Sequence, residues 1–157
     1  MAYTKWDYAR FDEVLDRIKG KTVLDVGFGN GEMLERLSDF EVTGVDINIG
    51  NIQEVPYNVQ IYKMDIRSLD FEDNSFDTVI AMEIIEHNPE SDNERMISEL
   101  RRVAIRVIVT VPFDEPEPLY KGHTQSFNQE KIDRLFPNAE TWIMPRGKGT
   151  PWIGVME

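Results

Sequence analysis

The segment Val23-Leu24-Asp25-Val26-Gly27-Phe28-Gly29-Asn30-Gly31 constrains the fold of this chain more than any other. A strand-like apolar run enters it, and three glycines at alternate positions follow. With no Cβ, such a loop turns tightly and lets the backbone approach a ligand closely. Where a helix follows, the loop also directs backbone N–H groups at whatever lies above it. The dinucleotide-binding spacing G-x-G-x-x-G is not met, because its last position is Glu32. Asp25, two residues before the first glycine, adds a carboxylate at the strand end.

The remaining hydrophobic periodicity surrounds this loop with a parallel sheet. Residues 7–19 carry Phe11, Val14, Leu15 and Ile18 at helical spacing, ended by Gly20. Strands are predicted at 21–26, at 41–45 with Asp46 closing the run, at 59–62, at 76–82, and at 105–111, where Pro112 stops the chain. Helices are predicted at 32–37, at 128–136, and from Ser91 to Val103, where Glu94 follows Ser91 at capping-box spacing. Residues 114–118, with two prolines, form a rigid loop. Runs 140–144 and 152–156 flank a glycine-bearing turn and predict an antiparallel hairpin. Strands alternating with helices imply an α/β fold with a mostly parallel sheet covered on both faces. Sheets of this kind bind ligands at the carboxyl ends of their strands, where strand order reverses. No repeat or low-complexity segment interrupts the chain. One domain is therefore expected over 1–157, with an N-terminal helix in 1–20 and a core in 21–157.

Composition narrows the function classes. There are 157 residues, 41% of them hydrophobic, which suits one domain with a substantial core. The absence of cysteine excludes disulfides, thiolate metal sites and a cysteine nucleophile. A net charge of −12 argues against broad non-specific nucleic-acid binding. Arg101, Arg102 and Arg106, and Arg146 with Lys148, read as solvated surface in preference to a nucleic-acid footprint. No apolar run is long enough to span a bilayer, and the first residues are acidic and aromatic, unlike a secretory signal. A cytoplasmic location is expected.

The acidic-x-Gly-x-Gly-x-Gly pattern of residues 25–31 resembles the first motif of class I S-adenosylmethionine-dependent methyltransferases. The run LDFEDNSFDTVIAMEIIEH, residues 69–87, resembles a stretch of their type 11, ubiquinone O-methyltransferase-like members. The resemblance implies a Rossmann-like three-layer α/β/α sandwich whose seven-stranded, mostly parallel sheet ends in an antiparallel hairpin. It implies S-adenosylmethionine as methyl donor and S-adenosylhomocysteine as product. Gly27, Phe28, Gly29 and Gly31 would then cradle the amino-acid part of the cofactor, with Asp25 toward its amino group. Asp46 would accept bonds from the vicinal ribose hydroxyls, the reason nucleoside-binding sheets place an acid there. Ile47 would pack on adenine, Asp65 and the Ile66 amide would face its polar edge, and Met64 and Met82 would complete the cofactor-binding set. For Asp65 a second reading stands beside this one: a cap on the turn that follows it.

Glu83-Ile84-Ile85-Glu86-His87 follows the fourth strand, and a helical turn there would place positions 83, 86 and 87 on one face. Gly122-His123 and the next four residues resemble a second conserved region of the same enzymes. The constellation is shared by ubiquinone-type O-methyltransferases and by small-RNA 2′-hydroxyl methyltransferases, the latter using a divalent metal. Glu83, Glu86, His87 and His123 could hold such an ion, which would lower the pKa of a substrate hydroxyl. This is the less favoured reading. The preferred one makes Glu86, His87 and His123 catalytic, with either histidine as general base, because only imidazole titrates near neutrality unperturbed. Tyr3, Trp6 and Tyr8 either fold over the cofactor as a lid or pack on the first helix, and packing is preferred. Val111-Pro112-Phe113 resembles the strand exit where the family's substrate pocket begins.

Two departures from the family stand out. The usual glycine-rich loop before the fifth strand is missing, since Arg101-Arg102-Val103-Ala104 runs almost directly into that strand. A large N-terminal cap and pocket-building insertions are also missing. An acceptor bound at an open face, or a second subunit (another copy or a partner) completing the pocket, is therefore expected. The acceptor, small molecule or macromolecule, is undefined, with oxygen preferred as the methylated atom. The competing class is a non-catalytic S-adenosylmethionine-binding regulatory or scaffold subunit. A nicotinamide-dependent oxidoreductase conflicts with the glycine spacing and the terminal hairpin.

Overall fold

A computed structural model describes residues 3–157, so positions 1 and 2 of the expected N-terminal segment lie outside the described residues. The strands are β1 (Thr22–Val26), β2 (Glu41–Asp46), β3 (Val59–Lys63), β4 (Phe76–Met82), β5 (Ala104–Pro112), β6 (Glu140–Met144) and β7 (Trp152–Met156). They form one sheet in the order β3-β2-β1-β4-β5-β7-β6. The first five strands are parallel. β7 inserts between β5 and β6 and runs antiparallel to both, so the expected hairpin is present.

The sheet alternates its apolar side chains between two cores. Val23, Val42, Ile80 and Ile108 face α1 (Lys5–Leu15) and α2 (Glu32–Arg36). Leu24, Val45, Val79, Ala81, Val107 and Val109 face α3 (Asn93–Val103) and α4 (Gln129–Leu135). This is the expected three-layer sandwich. No helix links β3 to β4; Leu69 and Phe71 cover the sheet there, the Phe71 ring meeting Phe76 edge-on at 5.0 Å. Among the described residues no helix is long and apolar enough to cross a membrane.

Several boundaries differ from the sequence reading, each for a local reason. α1 begins at Lys5 because Thr4 and Asp7 form a reciprocal capping box, and it ends at Leu15, leaving Ile18 buried beyond the helix. α3 begins at Asn93 instead of Ser91, which sits in a short 3₁₀ turn, Glu90–Asp92. The expected Ser91–Glu94 box does not form, and the N-cap residue Asp92 turns its carboxylate to Arg67 at 2.9 Å. α3 then passes into β5 without an intervening residue, as the missing loop requires. Arg101 pairs with Glu157, and Arg102 with Glu99 and Asp73, so both are spent on intrachain contacts.

Candidate active site at the carboxyl ends of the parallel strands

Strand order reverses between β1 and β4, and the loops leaving these strands part to open a crevice. Two cavities occupy it, with Gly27 as a shared wall. One is lined by Val26, Val45, Asp46, Ile47, Met64, Asp65, Ile66, Ile84 and Asn88. The other is lined by Tyr3, Arg10, Phe11, Asp25, Phe28, Gly29, Met33, Met82 and Glu83. The crevice thus gathers every residue expected to bind cofactor except Gly31. That glycine adopts φ +90° at the start of α2, and a Cβ there would meet Ile52, so it serves the turn.

The glycine loop is held open from behind. Gly27 donates to the Val45 carbonyl at 2.7 Å, and Gly29 donates to Asp46 Oδ2 at 2.9 Å. Gly29 has φ +59°, and a Cβ added to it would meet nothing within 4 Å, so the backbone is bare toward the cavity. Asp46 Oδ1 accepts from the Asn48 amide at 2.8 Å. Each Asp46 oxygen keeps a further lone pair for a ligand. Ile47, 63% exposed, offers an uncovered apolar face beside it.

Asp25 is 2% exposed, and its Oδ2 has no hydrogen-bond partner. Burial, and then the Asp46 charge, push its carboxyl up to about 7. A buried acceptor without a donor is costly and fits a cationic group arriving from the cavity. Asp65 lines the other cavity, yet it also accepts from the Arg67 amide at 2.9 Å and pairs with the Arg67 guanidinium at 2.6 Å. Those bonds hold its carboxyl below the usual range. Asp65 therefore caps the turn that follows it, and it also borders the cavity.

The segment after β4 departs from the expected shared face. Glu83 takes a left-handed backbone, φ +58°, which a non-glycine residue adopts only under constraint. Its side chain accepts from Trp152 Nε1 at 2.7 Å and Thr110 Oγ1 at 3.2 Å, and pairs with Arg10 at 3.2 Å. Glu83 thus belongs to the second cavity and not with Glu86, His87 and His123, its partners in the less favoured metal reading. Ile85–His87 form a 3₁₀ turn.

The loop carrying His123 is docked against this turn. Gln125 donates to the Ile85 carbonyl at 3.0 Å, and the Thr124 amide donates to the Glu86 carbonyl at 2.8 Å. One donor atom from each of Glu86, His87 and His123 then lies within 4.8 Å of the others. Glu86 is fully buried with neither carboxylate oxygen hydrogen-bonded. Burial, reinforced by the Glu83 charge, pushes its carboxyl well above the usual range. His87 Nδ1 lies 3.0 Å from the Gly122 carbonyl, and His123 Nδ1 lies 2.6 Å from Glu115 Oε2. Both contacts orient the rings and leave Nε2 for chemistry. Sequence reasoning missed Glu115, Gln125 and Arg10. Glu115 lies in a proline-bearing loop and Arg10 on a polar-looking helix, so no motif marks either.

Of the three N-terminal aromatics, only Tyr3 borders the cavity, its hydroxyl donating to Asn30 at 2.7 Å. Tyr8 stacks edge-on with Phe11 at 6.2 Å, and Trp6 lies against Gly147 of the β6–β7 turn. The preferred packing role therefore holds for Tyr8 on the helix; Trp6 packs on the hairpin instead.

Comparison with known proteins places this geometry in context. The sequence pattern of a family described as "Methyltransferase domain" matches residues 23–105, more than half of the chain. The chain is 37% identical over 95 residues to a phosphatidylethanolamine N-methyltransferase of Cereibacter sphaeroides, covering 54% of this chain and 46% of that protein. It is also 37% identical over 89 residues to a ubiquinone biosynthesis O-methyltransferase of Coxiella burnetii, covering 51% of this chain and 37% of that one. The chain thus spans less than half the length of these relatives. The crystal structure of the N-methyltransferase NodS from Bradyrhizobium japonicum superposes with a TM-score of 0.79 at 13% identity, covering 99% of this chain and 97% of that one, a likeness of fold.

Proposed function

The chain belongs to the class I S-adenosylmethionine-dependent methyltransferases, and from that premise we propose that it methylates a hydroxyl acceptor presented beside Glu86, His87 and His123. The observation that carries the acceptor assignment is the convergence of two oriented imidazoles on a buried carboxylic acid, in the segment after β4 whose Glu83, Ile84 and Asn88 line the crevice.

The residues present fit the donor. Asp25 offers an unpartnered carboxylate oxygen, Gly29 leaves space a Cβ would fill, and Asp46 ends β2 with lone pairs to spare. S-adenosylmethionine, when bound, supplies an electrophilic methyl on a sulfonium. Asp46 binds the ribose diol, Asp25 holds the ammonium, and Ile47 with the Ile66 amide frames the base. Tyr3, Phe11, Met33 and Met82 wall the second cavity with apolar surface, which excludes water and holds the reacting groups at near-attack distance.

A hydroxyl must lose its proton as it attacks, so a base matters. His123 is that base: the Glu115 carboxylate fixes its Nδ1 as donor and stabilises the imidazolium that forms, leaving Nε2 to accept the acceptor proton. His87, exposed beside it with ring centroids 4.9 Å apart, orients the acceptor oxygen. A second reading has one specific support. Glu86, His87 and His123 together form a carboxylate–imidazole donor set, and each imidazole carries the outer oxygen partner typical of metal-bound histidine. A divalent ion there would polarise the same hydroxyl and keep Glu86 ionised.

Incubation with methyl-labelled S-adenosylmethionine and cell extract, with and without chelator, tests both. Label in an O-methyl product, unaffected by chelator and lost in the His87→Ala/His123→Ala variant, supports the base. Loss on chelation and recovery with divalent metal supports the ion. Label confined to nitrogen or carbon overturns the hydroxyl assignment.

A further inference from the structure

The turn between β6 and β7, residues 145–151, carries positive charge to one side of the crevice in a chain of net charge −12. Arg146 is exposed on this turn, its guanidinium 4.8 Å from the centroid of the Trp152 ring. Among the described residues it makes no hydrogen bond or ion pair, whereas every other arginine of the chain makes at least one. Two carboxylates feel its charge, and both are engaged elsewhere: Asp7 caps α1 through Thr4, and Glu83 accepts from Trp152 and Thr110. Lys148, also exposed, lies inside the turn that the Gly149 amide closes on the Arg146 carbonyl at 2.9 Å. Gly147, between the two cations, lies against Trp6, and the Lys5 ammonium stands 4.9 Å from the centroid of that indole. The turn is also tied to the site. The Phe113 amide, just beyond β5, donates to the Pro151 carbonyl at 2.8 Å, and Trp152 Nε1 donates at 2.7 Å to Glu83, which lines the second cavity.

A guanidinium resting on an indole is held in place by the ring while its N–H donors stay free. Here the support is rigid, because Trp152 is buried, paired with Pro112 and Met144, and bonded to Glu83. The planar fork of arginine matches a carboxylate or a phosphate, which it grips through two parallel hydrogen bonds. The acidic chain as a whole repels polyanions, so unpaired cations gathered at this one place suit a ligand with a single anionic group and not a nucleic acid. We propose that the methyl acceptor is a small molecule with one anionic group, a carboxylate or a phosphate, which Arg146 binds while Lys148 adds positive charge. This rests on the methyltransferase reading above and narrows its acceptor class. The anion and the methylated hydroxyl are separate groups of the acceptor, one held at the β6–β7 turn and the other beside His87 and His123.

Calorimetric titration into protein saturated with S-adenosylhomocysteine tests this with three probes: 4-hydroxyphenylacetate, 4-hydroxyphenyl phosphate, and the neutral methyl ester of the first. At low ionic strength, wild type is expected to bind at least one anionic probe roughly 5- to 20-fold tighter than the ester, the charge-assisted range discounted for an exposed arginine. The carboxylate and phosphate arms show which anion the site takes. Arg146→Met should erase the preference and Arg146→Lys restore part of it, while S-adenosylhomocysteine affinity stays within about threefold in both, the control that they are folded. Lys148→Met should reduce the preference by less. Equal binding of the three probes, no saturable binding of either anion, or a preference that survives Arg146→Met overturns the inference. The His87→Ala/His123→Ala variant separates it from the hydroxyl assignment. The anion preference is expected to persist there, and its loss would assign the anion to the histidines and overturn the inference. O-methylation by a wild type without anion preference would leave the hydroxyl assignment standing while this inference falls.

Discussion

Asp46 Oδ2 accepts the backbone N–H of Gly29 at 2.9 Å, so the acid closing β2 holds the glycine loop of β1 before any ligand arrives. The two features that make the crevice recognisable are thus one mechanical unit. Asp46→Ala removes the proposed ribose acceptor and also frees the loop. It is expected to weaken S-adenosylhomocysteine binding at least about tenfold, as loss of a charged hydrogen bond does, and to lower the Tm slightly. Titration calorimetry with a parallel melt checks both.

Asp25, as the proposed ammonium-binding acid, is expected to tie cofactor binding to pH. Its carboxyl, pushed up to about 7, keeps in the folded state a proton that the unfolded chain releases. With the unfolded carboxyl near pKa ~4, stability from this group is full below that pH and is lost as pH rises through the folded value. Asp25→Asn, which cannot ionise, should therefore stabilise the fold at pH 8 and not at pH 4, by at most on the order of 4 kcal/mol, and raise the Tm only at the higher pH. Cofactor affinity should run the other way, since a cationic ligand needs the ionised acid. In wild type it should rise as pH climbs to about 7 and then level. The asparagine variant should bind weakly with no such slope.

Gly27 and Gly29 separate packing from binding. Both have positive φ, but a Cβ on Gly27 would run into the Ile84 side chain, whereas one on Gly29 enters open space. Gly29→Ala should cost about 1–2 kcal/mol of stability from the left-handed backbone and still abolish most cofactor binding. Gly27→Ala should cost more stability, because the strain of overpacking adds to the backbone term. Denaturant melts and calorimetry on the two variants distinguish them.

Glu115 is expected to act through His123. Glu115→Gln keeps the size of the side chain but not its charge, so methyl transfer should fall roughly 10²-fold or more while cofactor binding stays unchanged. Glu115→Asp should recover part of the rate. A rate unaffected by Glu115→Gln would count against the His123 assignment.

The physical basis of these sites also explains which of them could be read in the sequence. The spans of β4, β6 and β7 match the sequence reading residue for residue, because apolar runs bounded by turn residues leave little choice of register. Asp25 and Asp46 were legible for the same reason: strand ends set their place. The order β5-β7-β6 was not, since a hairpin pattern does not say which of its strands joins the sheet first. Glu83 looked like a neighbour of Glu86 at helical spacing, and only its left-handed backbone turns it toward Trp152 and Arg10. Arg10 reads as surface from its own helix, because its burial comes from Trp152, more than a hundred residues away. The missed α1 cap is different. Thr4-x-x-Asp7 carries the capping spacing in plain view, with Asp where Glu or Gln is the commoner signal.

The central claim is that the β1–β4 crevice is a donor site for S-adenosylmethionine. Titrating S-adenosylhomocysteine and NAD separately into the protein at pH 8 tests it most directly. The account predicts one saturable site for S-adenosylhomocysteine, lost in Gly29→Ala and weakened in Asp46→Ala, with no heat from NAD. Saturable binding of NAD, or no binding of S-adenosylhomocysteine at millimolar concentration, would contradict it.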